Sequence, residues 1–282
     1  MHRKIRYSGL IAISVALILL CSCVIKPKNI SEIPQAENDF LISILKVGQA
    51  DAIILKTDNH TEVIDCGEED DGAEVVEHLT NAGAKQIDYL FITHFDKDHV
   101  GGASEVIENF ETSHVIMPDY VGTSDEYKTF KNTVQEKNIA YNPLTDELTF
   151  TLDDVLFEVY PPLKQSYNEP DNDYSLVISV KHGNNSFLFT GDAEKDRLKE
   201  LQTQLDLDHD FLKMPHHGNY NKGTTPFLKS VTPTYTVITD SNKNPAETET
   251  IDVLKAVGSE IYHTKDGDIE VISDGKTIAI TQ

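Results

Sequence analysis

The chain has 282 residues and carries 47 acidic against 24 basic side chains, a formal net charge of −23 at pH 7. That length suffices for one substantial domain. The charge disfavours a dedicated nucleic-acid surface, because such surfaces neutralise phosphates with Lys and Arg, and here those residues are scattered among acids with no basic run.

Arg3, Lys4 and Arg6 precede an apolar run over residues 8–20. The run is too short and too abruptly ended for a membrane span, and its layout is that of a secretory signal peptide over residues 1–22. It closes on Leu20-Cys21-Ser22-Cys23, which resembles a bacterial lipobox. Cys23 is then the lipidated first residue of the mature protein and Cys21 leaves with the signal; an uncleaved anchor helix is the alternative. Both readings predict an extracytoplasmic chain held at the cell membrane. Residues 23–38 contain Pro27 and Pro34, show no periodicity and read as a tether. That leaves residues 39–282 as the folded domain. Beyond the lipidated cysteine only Cys66 remains, so no internal disulfide framework is available, and Cys66 reads as buried packing and not as a nucleophile.

From Phe40 the pattern turns strand-rich. Residues 41–47, 52–57 and 62–65 are apolar or β-branched, with a turn at Asp58-Asn59-His60. Residues 74–82 space Val75, Val76 and Leu79 for a helix that Gly83 stops. A strand over 87–93 follows, then a helix over 102–110, a strand over 114–117 and a helix over 124–138 with Ser124 as N-cap. Residues 148–160 alternate as a hairpin about Asp153-Asp154. Residues 176–182 and 186–190 form a second hairpin about Gly183-Asn184-Asn185. A helix over 195–205 leads to alternating strands (211–214, 235–239) and helices (226–231, 247–257). Terminal strands are expected over 260–264, 268–273 and 277–281.

The strand over 87–93 delivers Thr93-His94-Phe95-Asp96-Lys97-Asp98-His99-Val100-Gly101-Gly102. Two histidines and two aspartates within six positions at a strand end supply the nitrogen and oxygen donors that hold Zn²⁺, Mn²⁺ or Fe²⁺. Two further strand ends carry such donors: Asp192 after Thr190-Gly191, and the pair His216-His217 before Gly218. Asp192 also suits an N-cap for the helix behind it, a role compatible with ligation.

This loop resembles the H-x-[HD]-x-D-H signature of the metallo-β-lactamase-fold hydrolases. Lys46-Val47-Gly48-Gln49-Ala50-Asp51-Ala52, Val63-Ile64-Asp65-Cys66-Gly67, Asn172-Asp173-Tyr174-Ser175-Leu176-Val177, Leu188-Phe189-Thr190-Gly191-Asp192 and Leu212-Lys213-Met214-Pro215-His216-His217-Gly218 resemble, in order, segments of the domain at the C-terminus of the competence protein ComEC. Extracellular phosphorylcholine esterases of the same fold share much of the pattern. The resemblance implies an α/β αββα sandwich, two mixed sheets flanked by helices, and two divalent metal ions, Zn or Mn. It assigns His94, Asp96, Asp98, His99, Asp192 and His216 to metal, with Asp98 and His217 acting catalytically; which of His216 and His217 is the ligand stays open. Many relatives carry His where Asp96 stands, and the harder oxygen donor widens the metal choice from zinc toward manganese. An intermediate histidine ligand has no counterpart here; Asn172, Asp173 and Ser175 occupy that region. Asn244-Pro245-Ala246 stands where a later histidine-proline pair is usual.

The implied activity is metal-dependent hydrolysis, with a metal-bound hydroxide attacking a phosphodiester. The expected partner is a phosphoester-containing substrate, either a small molecule or a surface polymer decorated in the manner of phosphorylcholine. A ComEC-like DNase is the alternative enzyme, disfavoured by the acidic charge. A surface binding protein with a degenerate metal site is the non-catalytic alternative.

Overall fold

In a computed structural model, residues 38–164, 166–167 and 171–282 are described. The expected signal peptide, Cys23 and all but the last residue of the tether lie outside them. Among the described residues no helix is long and apolar enough to cross a membrane.

In chain order, β1 (Phe40–Ile44), β2 (Ala52–Lys56) and β3 (Thr61–Cys66) form an antiparallel meander. Helix α1 (Gly72–Asn81), β4 (Ile87–Phe91), the single turn α2 (Lys97–Val100), α3 (Ala103–Asn109), β5 (Thr112–Pro118), α4 (Asp125–Glu136) and β6 (Ala140–Leu144) extend that sheet by parallel crossovers. The second sheet comprises β7 (Leu148–Leu152), β8 (Val155–Tyr160), β9 (Val177–His182), β10 (Asn185–Phe189), β11 (Phe211–Lys213), β12 (Tyr235–Ile238) and β13 (Glu260–His263). Helices α5 (Lys195–Gln204), α6 (Thr224–Val231) and α7 (Thr248–Val257) connect its parallel strands. The chain then returns: β14 (Ile269–Ser273) and β15 (Ile278–Thr281) join the first sheet beside β1. The first sheet therefore runs β15-β14-β1-β2-β3-β4-β5-β6.

Side-chain alternation along the strands builds the layers. Ile53, Leu55 and Ile64 face Phe157, Phe187 and Phe211 across the gap between the sheets. Their neighbours Ala52, Ile54 and Val63 face Val75, Leu79 and Val106 of α1 and α3. A third apolar layer, with Leu212, Phe227 and Leu254, lies between the second sheet and α5 to α7. Strands buried on both faces read as nearly continuous apolar runs, as β1 and β2 do, while β3 carries Glu62 and Asp65. The architecture is the αββα sandwich. Helix α4 begins as expected, with Ser124 Oγ accepting from Tyr127 N at 3.1 Å. Cys66 is fully buried and free, and burial pushes its thiol well above the usual range, which suits packing.

One carboxyl in the returning hairpin is out of balance. Glu270 sits opposite Ser43, whose hydroxyl donates to it at 2.7 Å, yet burial and nearby Asp268 push its pKa up to about 7. Below about pH 4.5 both folded and unfolded chains hold the proton and the group costs nothing. As pH rises toward 7 only the unfolded chain ionises, and stability is lost, by about 3 kcal/mol once pH exceeds the folded value. Glu270→Gln should match the native protein in urea melts at pH 4 and exceed it at pH 8. A gain independent of pH would contradict this.

Candidate metal centre

The carboxyl ends of strands from both sheets meet at one edge, where crevices of α/β folds form. Phe189, Lys213 and Val237 are in register across β10, β11 and β12, so Asp192, the His216-His217 pair and Thr239 emerge side by side. The first sheet brings Asp65 from β3 and His94 from just beyond β4 to the same place. A single helical turn, α2, starts directly after extended Asp96 and presents Asp98 and His99. Gly102 closes the loop where a Cβ would collide with the Cys66 carbonyl and with Gly72, so the loop packs backbone to backbone.

His216 and His217 both adopt left-handed backbone conformations, φ 46° and 52°. For residues with a Cβ this costs on the order of 1–3 kcal/mol each, and such strain gathers at functional sites. Gly191 O and Asn219 N hold the pair through His216, and Gly218 (φ +85°) leaves room for Ala246. His217 is thereby turned inward, while His216 stays partly exposed.

The centre of the site is a quartet. Ligand atoms of Asp98, His99, Asp192 and His217 all lie within 4.8 Å of one another. Asp192 Oδ2 is 3.2 Å from His99 Nε2 and 3.1 Å from His217 Nε2, and Asp98 Oδ2 is 3.4 Å from His217 Nε2. His94 stands beside it, its ring 4.1 Å from that of His99 and its Nε2 3.6 Å from Asp96 Oδ2. His216 lies at the rim, with Nε2 4.0 Å from Asp192 Oδ2 and Nδ1 3.0 Å from Glu194 Oε1. Of the two histidines, His217 is thus the member of the quartet.

Electrostatics favour cations here. Burial alone would lower the His217 and His99 pKa values, but Asp192 and its neighbours outweigh it: His217 rises to about 9, and His99 well above its usual value. Asp192 and Asp98 are conversely held below the usual carboxylate range by the two imidazoles, against the effect of burial. A field that holds protons on imidazoles also favours a divalent ion, which displaces them.

His94 Nε2, His99 Nε2, His217 Nε2 and Asp192 Oδ1 are buried without hydrogen-bond partners. Each such atom costs about 1–3 kcal/mol, and two imidazole nitrogens with two carboxylates, all within 4.8 Å of one another, are a donor set suited to a divalent ion such as Zn²⁺ or Mn²⁺. The residues fit the metal.

Several supporting residues had no assigned role in the sequence. Asp65, itself at φ 57°, takes Thr93 N–H at 2.8 Å and the Thr93 hydroxyl at 2.6 Å, and lies 2.8 Å from His99 Nδ1. The segment Asn172–Tyr174 and Ser175 fill the region of the absent intermediate histidine with support: Asp173 accepts from Glu194 N and Arg197 N at the start of α5, and Ser175 Oγ accepts from Asp192 N at 3.1 Å. The sequence signal available for such residues was a charged side chain inside an apolar strand, as at Lys213.

An aromatic wall borders the loop. Tyr120 stacks on Tyr174 at 4.3 Å and packs tilted against Phe95 at 4.6 Å, and its hydroxyl accepts from Phe95 N at 2.8 Å.

The sequence family described as the metallo-beta-lactamase superfamily matches residues 45–238. Among curated proteins, ComE operon protein 3 of Bacillus subtilis is 26% identical over 175 residues, covering 60% of this chain and 22% of that protein. Recombination protein 2 of Haemophilus influenzae is 26% identical over 237 residues, 82% of this chain and 27% of that protein. The matched stretch thus spans about a quarter of these relatives' length. Among solved structures, the metallo-beta-lactamase fold protein YhfI from Bacillus subtilis superposes with TM-score 0.52 at 10% identity, covering 80% of this chain and 98% of that one. A putative metal-dependent hydrolase from Parabacteroides distasonis gives 0.50 at 17% identity, covering 80% and 93%.

Proposed function

Since the chain belongs to the metallo-β-lactamase superfamily, we propose that it is a metal-dependent hydrolase that cleaves a phosphodiester outside the cytoplasmic membrane. The observation that carries this reading is the shared position of Asp192. Its Oδ2 lies 3.2 Å from His99 Nε2, 3.1 Å from His217 Nε2 and 4.0 Å from His216 Nε2 at the rim. Asp98, His99, Asp192 and His217 would hold one ion; His94 and Asp96, with Asp192 and His216, would hold a second. Ions held by these residues would lower the pKa of a bound water and stabilise the negative charge that develops at phosphorus.

The chain's own groups do the rest. Asp98 is kept ionised by His217 and His99 and is partly open to solvent, so it accepts a hydrogen bond from the attacking water and orients it. The partly exposed Tyr120 and Tyr174, backed by buried Phe95, offer an apolar surface to an organic group on the phosphate. A surface-polymer phosphodiester of the phosphorylcholine kind or a nucleotide would meet these features. The motif resemblance to the C-terminal domain of ComEC favours a DNase as a second reading; the charge of −23 opposes it.

Residues 24–282, purified, should bind Zn²⁺ or Mn²⁺ and turn over bis-p-nitrophenyl phosphate, with p-nitrophenyl phosphorylcholine, linear DNA and nitrocefin assayed in parallel. Asp98→Ala should lower turnover on the order of 10²-fold or more. The whole chain on intact cells should reach an impermeant substrate, as an outward-facing anchor requires. Absence of bound metal together with absence of turnover on all four substrates would sink the proposal, and cleavage of DNA alone would promote the second reading.

A further inference from the structure

Behind the quartet, three buried groups form a directed chain that ends on His217. Lys213, wholly buried at the end of β11, pairs through its ammonium with Asp51 Oδ2 and donates to Gly191 O at 3.2 Å. Asp51 Oδ1 accepts the Thr239 hydroxyl at 2.7 Å, and Thr239 Oγ1 lies 2.9 Å from His217 Nδ1. Asp51 and Thr239 are 188 positions apart and come from different sheets.

The direction of this chain is forced by donor arithmetic. An ammonium only donates, an ionised carboxylate only accepts, and a hydroxyl has one hydrogen to give. Lys213 holds Asp51 as a carboxylate, Asp51 takes the Thr239 hydrogen, and the Thr239 oxygen is left to accept from His217. Once a cation has displaced the second proton of the ring, the remaining hydrogen of His217 sits on Nδ1, and the Nε2 lone pair faces Asp98 and Asp192, whose Oδ2 atoms lie 3.4 and 3.1 Å away. His99 reaches the same state by a shorter route, through Asp65.

We propose that Lys213, Asp51 and Thr239 form a positioning relay that fixes His217 in the one tautomer able to bind a divalent cation; this rests on the reading of His217 as a metal ligand. None of the three touches substrate. The relay acts through the ring it orients, as partners of metal-bound imidazoles generally do.

Three variants of the whole chain test it. Thr239→Ser keeps the hydroxyl. Thr239→Val keeps the shape and cuts the relay. Asp51→Asn reverses it: Lys213 can only donate and so takes the amide oxygen, the amide NH₂ turns to Thr239, and the Thr239 hydrogen is driven onto His217 Nδ1, which leaves the ring hydrogen on Nε2. Zinc affinity, measured by competition with a chelating dye, should stay within about twofold of the unaltered chain in Thr239→Ser and fall about 10–100-fold in Thr239→Val, and at least as far in Asp51→Asn. Long-range ¹⁵N–¹H spectra of the zinc-loaded protein should show a His217 Nδ1–H protected from exchange in the unaltered chain and in Thr239→Ser, and an unprotected one in Thr239→Val. Thermal melts confirm folding, and the Val and Asn variants are independent, so either folded one decides. Unchanged affinity in the folded variants overturns the relay and leaves the metal reading standing. An unaltered chain that binds neither zinc nor manganese overturns both.

Discussion

Asp192→Asn is expected to empty both proposed metal positions and to lower turnover on the order of 10³-fold. Asparagine keeps the shape of the side chain and removes the charge that His99 at 3.2 Å and His217 at 3.1 Å both lean on. Its amide would also aim N–H hydrogens at atoms that need an electron donor. Added Zn²⁺ or Mn²⁺ should raise the melting temperature of the native protein, because an ion that binds only the folded state stabilises it by mass action. In Asp192→Asn that rise should vanish, and elemental analysis should find less than one ion per chain. A variant that kept two ions would remove Asp192 from the shared position.

The second large effect is on stability. Arg197 is wholly buried in α5, and its guanidinium gathers three segments: Nε donates to Ser175 O at 3.0 Å, Nη2 to Tyr160 O at 2.7 Å, and Nη1 to Glu200 Oε2 at 3.3 Å and to Gln204 Oε1. Burial lowers its pKa without removing the charge that Glu200 balances. Arg197→Met strips the Ser175 and Tyr160 carbonyls of this donor and takes the guanidinium from Glu200, whose Oε2 still accepts from Tyr167 Oη at 2.7 Å and Leu163 N at 3.2 Å. The loss should approach that of a buried pair broken from one side, about 3–5 kcal/mol. Urea unfolding should show that loss in the midpoint, with little change in slope. Activity should fall as well, because Ser175 steadies the backbone of Asp192. A loss below about 1 kcal/mol would mean that the three segments hold without the guanidinium.

Much of the site was legible because metal donors cluster in sequence. His94, Asp96, Asp98 and His99 share one loop behind an unmistakable apolar strand, and Asp192 and His217 each follow another. Their supports were not legible. The roles of Asp51 and Thr239 exist only through a contact between distant strands, and the Asp173 carboxylate caps a helix that starts about twenty residues on. In the fold, β6 escaped notice because Ala140–Leu144 is mostly exposed, contains Pro143 and pairs only at the sheet edge, where neither alternation nor an apolar run is demanded. Helix α2 is four residues long, too short to show a period. The tail was readable as strands, but its place in the first sheet was not, since register across more than 200 residues leaves no local mark.

That return of the tail has a consequence for how the protein is made. Phe40, in the first strand, pairs with Ser273, in the next to last. A chain that emerges amino end first, from the ribosome or through an export channel, carries β1 with one edge open until residues 269–281 have followed. The first sheet therefore gains its last two strands only when the end of the chain has emerged. The final hairpin acts as the latch. A product cut short before residue 269 would keep the largely apolar strand β1 with an unpaired edge, a template for pairing with other copies.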